Sequence, residues 1–213
     1  MWKTLVNYKK HKTMKKILYA IVAVVLLASC NEKKDSQAER CAAALDVIQT
    51  RVSVRHFTDE AITDAQIETL LRAAMSAPTA VNKQPWAFVV IDDKDILKTI
   101  GEEFPNSRVQ NGATLCIAVC GDMSKALEGE AQGYWVEDTS AATENMLLAA
   151  HAMGLGTLWV GTYPIQDRVE RTKQLLNLPE HIIPMCLVTL GHPAEQPEVK
   201  DKFKIENIHY NKW

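Results

Sequence analysis

The chain has 213 residues, of which 47% are hydrophobic and 23% charged, and its formal net charge at pH 7 is −2. This composition is ordinary for one globular domain, and the chain is long enough to form a hydrophobic core that needs no disulfide or metal to stabilise it. A chain without excess positive charge has no general electrostatic attraction for DNA or RNA, so nucleic-acid binding is excluded as a working hypothesis.

The N-terminal region has the pattern of a bacterial secretory signal. Lys15 and Lys16 precede an apolar run at 17–28, and small residues then lead to Cys30. The run has 12 apolar residues, whereas a membrane-spanning helix needs roughly 20, so a cleaved signal is favoured over a spanning helix. The four residues LASC that end at Cys30 resemble a lipobox, which implies cleavage before Cys30 and lipidation of this cysteine.

We therefore predict a signal peptide at 1–29, a linker at 30–40 and a single domain at 41–213, with translation starting at Met14. The mature protein would be a lipoprotein anchored to a membrane and facing the periplasm, and the alternative is a cytoplasmic protein. Residues 1–29 contain six lysines and no acids, so their removal leaves 18 basic and 26 acidic residues and a net charge of −8.

Apolar periodicity in the domain predicts alternating helices and strands, which is typical of an α/β or α+β fold. Thr63 can cap the strongest helix, and Pro78 stops it. The strand at 113–121 is apolar on both faces and is predicted to be central. The predicted elements, in chain order, are helix 38–48, helix 63–77, strand 86–93, helix 94–100, strand 113–121, helix 138–154, strand 157–161, helix 166–177, strand 182–193 and an irregular arm at 200–213.

The cysteines and histidines give no support for a metal site. The four cysteines after Cys30 lack C-x-x-C or zinc-type spacing, and two of them share one face of the strand at 113–121. Buried, inert thiols are the favoured interpretation. The six histidines are scattered and form no H-E-x-x-H motif.

The usual dinucleotide loop is also missing. The stretch GLGTLWVG at 154–161 contains G-x-G, but it closes a helix and opens a strand, which is the reverse of the required order. Gly154 is better explained as the residue that ends a helix.

Three polar clusters remain. In RVSVRHF, Arg51, Ser53 and Arg55 would share one face of an extended segment and could bind an anion, although an ordinary charged edge strand has the same pattern. The second cluster is SAPTAVNKQPWAFVV at 76–90, whose polar residues exceed the needs of a simple turn. The third is the group of lysines at 200–204 in the C-terminal arm.

These stretches occur in order with AATENMLLAAHAMGLGTLWVG, VTLGHPAEQP and a terminal HYNKW. Over about residues 45–213 the chain resembles the FMN-dependent nitroreductase family. The resemblance implies an α+β three-layer sandwich with a mostly antiparallel central sheet flanked by helices. It also implies a homodimer in which FMN binds at the subunit interface, the alanine-rich helix at 138–154 contributes to that interface and the C-terminal arm wraps the partner.

The resemblance also assigns roles to individual residues. Arg51 and Ser53 would hold the FMN phosphate and ribityl chain, and Arg55 would lie beside the flavin pyrimidine. A backbone N–H within 159–161 would face flavin N5. The complete set of implied cofactor-binding residues is Arg51, Val52, Ser53, Arg55, Pro78, Thr79, Asn82, Gln84, Trp159, Val160, Gly161 and Lys202, with Pro78, Thr79, Asn82 and Gln84 reaching the flavin of the other subunit.

Two positions depart from the family pattern. Val52 stands where members often carry a second basic residue, and Lys202 stands where an arginine often meets the phosphate. Lysine provides a point charge without the planar fork of arginine, so these departures predict weaker FMN binding.

The implied reaction is ping-pong hydride transfer from NADH or NADPH through flavin N5 to a nitroaromatic, a quinone or a similar acceptor. No catalytic side chain is implied, because the cofactor carries the chemistry. The alternative is an FMN-binding or electron-passing lipoprotein that uses a different donor, since NAD(P)H is scarce in the periplasm.

Overall fold

The computed structural model describes residues 36–213, and the predicted signal peptide and Cys30 lie outside this range. The chain divides after Ile48, and residues 49–213 form one compact unit. The first described helix, α1, covers 36–50 and therefore includes residues that the sequence assigned to the linker. No helix in the described part of the chain has the length and apolarity needed to cross a membrane.

The helices and strands follow the predicted order. The two largest boundary differences are that α4 begins four residues before the predicted start and that α3 continues three residues beyond Ile100, whereas the other boundaries agree within two residues. The elements after α1 are α2 (Asp64–Met75), β1 (Trp86–Ile91), α3 (Lys94–Glu103), β2 (Leu115–Asp122), α4 (Tyr134–Ala152), β3 (Gly156–Gly161), α5 (Gln166–Leu176) and β4 (Ile182–Gly191).

Helix α2 begins where its sequence predicts. The Thr63 hydroxyl accepts from the backbone N–H of Gln66, and the Gln66 side chain accepts from the N–H of Thr63 at 2.9 Å. This reciprocal capping box satisfies two backbone donors at the start of the helix. Leu70 and Ala74 then point from one face of α2 into the core.

The four strands form one antiparallel sheet in the order β1-β2-β4-β3. Strand β2 is central and buried along its whole length, as its continuous apolar sequence predicts. Its pairing with β4 shifts register between Val119 and Cys120, opposite Pro184. Proline has no N–H to donate to a sheet ladder, so the irregularity lies where the ladder would be incomplete.

Helices cover both faces of the sheet and bury two separate cores. One core joins the sheet to α2 and α4, with Leu70 and Met146 fully buried. The other joins it to α3 and α5, with Ile100 fully buried and Leu176 packed at its margin. The molecule is therefore an α+β three-layer sandwich, which confirms the expected fold class.

The start of α4 is fixed by a close contact between Gly121 and Trp135. A Cβ added at Gly121 would lie 2.9 Å from Cζ3 of Trp135. We expect Gly121→Ala to lower the free energy of unfolding by about 1–3 kcal/mol, because neither partner can move without disturbing the core. Chemical denaturation would measure this, with Gly133→Ala as the control because nothing lies within 4 Å of its added Cβ. Equal stability of the two variants would contradict the prediction.

After Lys200 the chain is irregular and exposed, apart from a short 3-10 turn at Ile205–Asn207. It leaves large apolar side chains in solvent, with exposures of 71% for Phe203, 81% for Tyr210 and 101% for Trp213. Exposed apolar side chains in this number are typical of a segment that is covered in an assembly.

Candidate active site

The RVSVR segment lies against the beginning of β3. Ser53 forms a parallel bridge with Thr157, and the Val54 N–H donates to the Thr157 carbonyl at 2.9 Å. Val54 also packs against Gly156, where an added Cβ would lie 2.8 Å from the valine Cβ. The segment forms isolated bridges instead of a continuous strand, yet it brings Arg51 and Ser53 to the free edge of β3.

Beyond Thr157, the edge of β3 is open for two further residues that face outward. In an antiparallel strand, the N–H and C=O groups of alternate residues point to the same side. Since Thr157 bonds to Val54 and β4 lies on the opposite side, Trp159 and Gly161 also direct their backbone groups to the free edge. The distance along the strand from Thr157 to Gly161 is about 13 Å.

Gly161 faces empty space at the end of this edge. The residue is exposed, and a Cβ built on it would meet nothing within 4 Å. A flat ring could therefore approach the backbone without a side chain intervening. Backbone donors at one end of the edge and a guanidinium and a hydroxyl at the other end fit a flat heteroaromatic group with a phosphate tail. This is the shape and charge distribution of FMN.

Arg51 is held by helix α4. Its Nε lies 3.4 Å from Oε1 of Glu144, and its side chain is 18% exposed, against 48% for Glu144. One residue earlier, the Thr50 hydroxyl lies 2.8 Å from Nε2 of His151, also on α4. Because Glu144 is placed at Nε, the outer Nη edge of the guanidinium is available for a phosphate fork.

Arg55 is exposed, but its backbone is fixed from two sides. Its N–H donates to Oε1 of Glu195 at 2.9 Å, and its carbonyl accepts from Nδ2 of Asn111 at 2.8 Å. Nδ1 of His56 lies 2.8 Å from the other carboxylate oxygen of Glu195. The Arg55 N–H, followed by the His56 ring, holds the pKa of Glu195 below its ordinary value.

This direction of the pKa shift predicts a pH dependence. The carboxylate form of Glu195 is favoured in the folded protein, so its contribution is complete above the ordinary glutamate pKa of about 4.3. It is then lost as the pH falls through the lowered value. We expect protection of the Arg55 amide from hydrogen exchange to fall at that pH in the native protein. Glu195→Gln should give weaker protection that is independent of pH over the same range. A loss of protection at the same pH as in the native protein would contradict the assignment.

A turn at 105–111 connects the Arg55 segment to the far end of β3. Asn111 accepts from the N–H of Phe57 at 2.9 Å and donates to the carbonyl of Arg55. At the other end of the turn, Asn106 shares a cavity of about 130 Å³ with Val160. Between them, Arg108 is exposed and has left-handed backbone angles. The turn that bonds to the Arg55 carbonyl thus carries an exposed arginine that the sequence did not indicate.

The loop with the unusual polar sequence is organised by its own side chains. The Gln84 N–H donates to the Thr79 hydroxyl, and Nε2 of Gln84 donates to Oδ1 of Asn82, both at 3.1 Å. Asn82 and Gln84 have positive φ, as does the exposed Val81. A β-branched residue with positive φ is an outlier. The loop therefore has an unfavourable backbone conformation, which the hydrogen bonds of Thr79, Asn82 and Gln84 stabilise.

This loop does not meet Arg51 within one chain. It is anchored at the first turns of α4, where the Ala80 N–H donates to the buried carboxylate of Asp138 at 2.8 Å. Arg51 contacts Glu144, six residues further along the helix, which is about 9 Å along the axis. In a single chain, the loop with Pro78 to Gln84 and the segment with Arg51 therefore contact α4 at points about 9 Å apart along its axis.

The remaining expected residues differ in how they reach the edge. Trp159 is half-buried against the core on the α4 side, whereas the Val160 side chain is buried in the opposite core. Val160 therefore presents no side chain to the free edge. Val52 is half-buried, and Lys202 is exposed in the C-terminal arm.

Of the four cysteines predicted to be buried, inert thiols, Cys116, Cys120 and Cys186 are buried, and the prediction is wrong for Cys41. Burial raises the pKa of Cys116 and Cys120 to about 12 each and also raises the pKa of Cys186. Cys41 is exposed, and all four are free thiols. Across residues 36–213, no group of histidine, cysteine and acidic side chains is arranged to hold a metal.

Four contributors to the candidate site were missed from sequence: Glu144, Asp138, Arg108, and Arg168, whose Nη1 donates to the Gly161 carbonyl at 2.9 Å. Glu144 left a signal, because it is the one charged residue in the stretch AATENMLLAA. The other three act through contacts with distant segments, so their spacing in the sequence carries no comparable mark.

Comparison with known proteins identifies the class. A family model described as the nitroreductase family matches residues 48–107 and 101–192, and a model for the prokaryotic membrane lipoprotein lipid attachment site matches 14–31. A relative from Methanothermobacter thermautotrophicus is 43% identical over 169 residues, covering 79% of this chain and 87% of that protein. It is provisionally named an NADH dehydrogenase/NAD(P)H nitroreductase.

Two solved structures extend the comparison. A Bacteroides thetaiotaomicron protein with the same provisional name is 39% identical, with a TM-score of 0.75 and coverage of 80% of this chain and 98% of that one. The NADPH:FMN oxidoreductase of Vibrio harveyi, solved with NAD+, is 26% identical, with a TM-score of 0.72 and coverage of 80% and 78%. The chain belongs to the nitroreductase family and is an oxidoreductase of that type.

Proposed function

We propose that the protein is an FMN-dependent NAD(P)H oxidoreductase. The observation that carries the proposal is the open edge of β3, with Arg51 and Ser53 at one end and the side-chain-free Gly161 at the other. The relatives support the choice of cofactor and donor, since the name of the Vibrio harveyi protein includes FMN and NADPH.

Different residues of one chain bind different parts of the cofactor. Arg51 and Ser53 bind the phosphate, with Glu144 holding the Arg51 guanidinium in position. Arg55 and Arg108 place positive charge near the flavin pyrimidine, where reduction adds negative charge. The backbone N–H groups of Trp159 and Gly161, which face the free edge, are the donors available toward N5.

FMN, when bound, accepts hydride at N5 and passes two electrons to a second substrate, so we propose a ping-pong reaction. Nitroaromatics and quinones are the proposed acceptors. Initial rates measured at several concentrations of NADH and of a water-soluble quinone should give parallel double-reciprocal lines. Intersecting lines would contradict the ping-pong scheme.

We further propose that the site is completed by a second copy of the chain. The separation of the loop at 78–84 from Arg51, together with the exposed Val81 and C-terminal arm, supports this. Co-expression of Arg51→Ala and Asn82→Ala chains tests it, since their heterodimer would contain one intact site and one doubly altered site. Activity above that of either variant alone is expected, and its absence would contradict a shared site.

The lipid attachment match supports a membrane-anchored protein, and we propose that the domain faces the periplasm. Cys30→Ser should move the protein from the membrane fraction to the soluble fraction, because the thiol that would carry the lipid is gone. Immunoblots of the two fractions would show this, with Cys41→Ser as the matched control. Retention of the Cys30→Ser protein in the membrane would contradict lipid anchoring.

The same match favours a second candidate, an electron-passing lipoprotein with a donor other than NAD(P)H. For this second function, we expect bound flavin to be reduced by dithionite but to stay oxidised for minutes with excess NADH or NADPH. Stopped-flow reduction by the two nucleotides separates the two functions.

A further inference from the structure

Arg168 makes an unusual contact at the end of β3. It lies in the first turn of α5, and its Nη1 donates to the Gly161 carbonyl at 2.9 Å. This carbonyl belongs to the last residue of the strand and points to the free edge. A charged donor on a carbonyl makes a stronger hydrogen bond than a neutral donor does.

The contact fixes the residues that follow the strand. The N–H groups of Thr162 and Tyr163 both donate to the Met185 carbonyl at 3.1 Å, so β4 holds the chain from one side. Arg168 holds the Gly161 carbonyl from the other side. The last peptides of β3 are thus clamped between a neighbouring strand and a guanidinium.

Among the described residues, no carboxylate forms an ion pair with Arg168, although Glu103 and Asp167 line the same cavity as it does. Its neighbour Arg171 lines the same cavity but is paired with Asp167 at 3.1 Å and with Glu103 at 3.8 Å. Arg168 forms no such pair within residues 36–213, and its guanidinium instead donates to the Gly161 carbonyl. A positive charge in a partly enclosed position is screened less than one in bulk water.

We propose that Arg168 is a positioning residue that fixes the backbone of Gly161 and favours the reduced state of the flavin through its positive charge. This inference rests on the proposed function, because it assumes that the flavin lies along the free edge of β3. The sequence gives no hint of it, since the contact depends on the path of the turn between β3 and α5.

The test uses full-length protein and three variants. Arg168→Gln removes the charge, Arg168→Lys keeps it, and Arg171→Gln removes the same charge from the same helix without touching Gly161. The first readout is the reduction potential of bound FMN. The second is hydrogen exchange of the Thr162 and Tyr163 amides in flavin-free protein, which does not depend on cofactor binding.

For Arg168→Gln we expect the equilibrium between oxidised and reduced flavin to shift toward the oxidised form by about tenfold, or about 30 mV for two electrons. Arg168→Lys should retain most of the native potential, and Arg171→Gln should shift it by less than about a third as much. Exchange at Thr162 and Tyr163 should accelerate by about fivefold in Arg168→Gln and stay native in Arg171→Gln.

Different results would overturn different parts of the account. Flavin bound by Arg168→Gln at the native potential, or an equal shift in Arg171→Gln, would overturn the inference and leave the proposed function standing. Failure of the native protein to bind FMN would overturn the proposed function, and the amide exchange would then show whether Arg168 fixes the end of β3. Native exchange in Arg168→Gln would overturn the inference in either case.

Discussion

The Gly161→Val variant is expected to fold normally and to lose FMN. A Cβ added at Gly161 meets nothing within 4 Å and the residue is exposed, so the free energy of unfolding of the flavin-free protein should stay within about 0.5 kcal/mol of the native value. The same side chain would occupy the space through which the ring approaches the backbone. The dissociation constant of FMN should therefore rise by at least about a hundredfold, or about 2.7 kcal/mol.

Fluorescence titration of flavin-free protein with FMN measures this effect, and chemical denaturation checks the fold. Gly133→Val is the matched control. A Cβ added at Gly133 also meets nothing within 4 Å, and Gly133 precedes α4 and is not among the residues of the proposed site. It should bind FMN as the native protein does. Native FMN affinity in Gly161→Val would place the flavin elsewhere.

Arg51→Met should weaken FMN binding through the phosphate alone. The loss of charged hydrogen bonds to the phosphate corresponds to about 1.5–3 kcal/mol, which is about a 10- to 100-fold rise in the dissociation constant. Methionine keeps an apolar stem of similar length, so the packing of the half-buried side chain changes little. Glu144 would also lose its cation, which adds a carboxylate facing the phosphate.

Riboflavin separates the phosphate from the rest of the cofactor. Because riboflavin has no phosphate, its affinity should be nearly the same in the native protein and in Arg51→Met. Arg72→Met is a suitable control, since Arg72 is exposed on α2 and pairs with Glu68. A parallel loss of FMN and riboflavin affinity in Arg51→Met would contradict the assigned role.

The elements of the fold could be predicted because their signals are local. The Thr63–Gln66 capping box and the continuous apolar run of β2 each contain their own explanation. The start of α4 at Tyr134 was missed by four residues, because no capping side chain marks it and the close packing of Trp135 on Gly121 helps to define it. Boundaries set by such long-range contacts leave little trace in the local sequence.

The site could be predicted only in part, for a similar reason. The alternation in RVSVR predicted an extended segment, and this segment lies along β3 through the Ser53–Thr157 bridge, while the binding roles of Arg51 and Ser53 stay a prediction. Glu144 and Arg168 reach this edge from two helices, and their roles appear only once α4 and α5 are packed. Asn82 and Gln84 first maintain the loop itself, and their approach to a flavin in the partner subunit remains a prediction.

The central claim is that this chain binds FMN and exchanges electrons with NAD(P)H. The most direct measurement is the visible absorption spectrum of the detergent-purified, full-length protein, recorded anaerobically before and after NADH is added and again with NADPH. We expect a flavin spectrum that bleaches with at least one nucleotide. Bound flavin that remains oxidised with both would contradict the proposed donor, and a colourless protein that takes up no added FMN would contradict the proposed function itself.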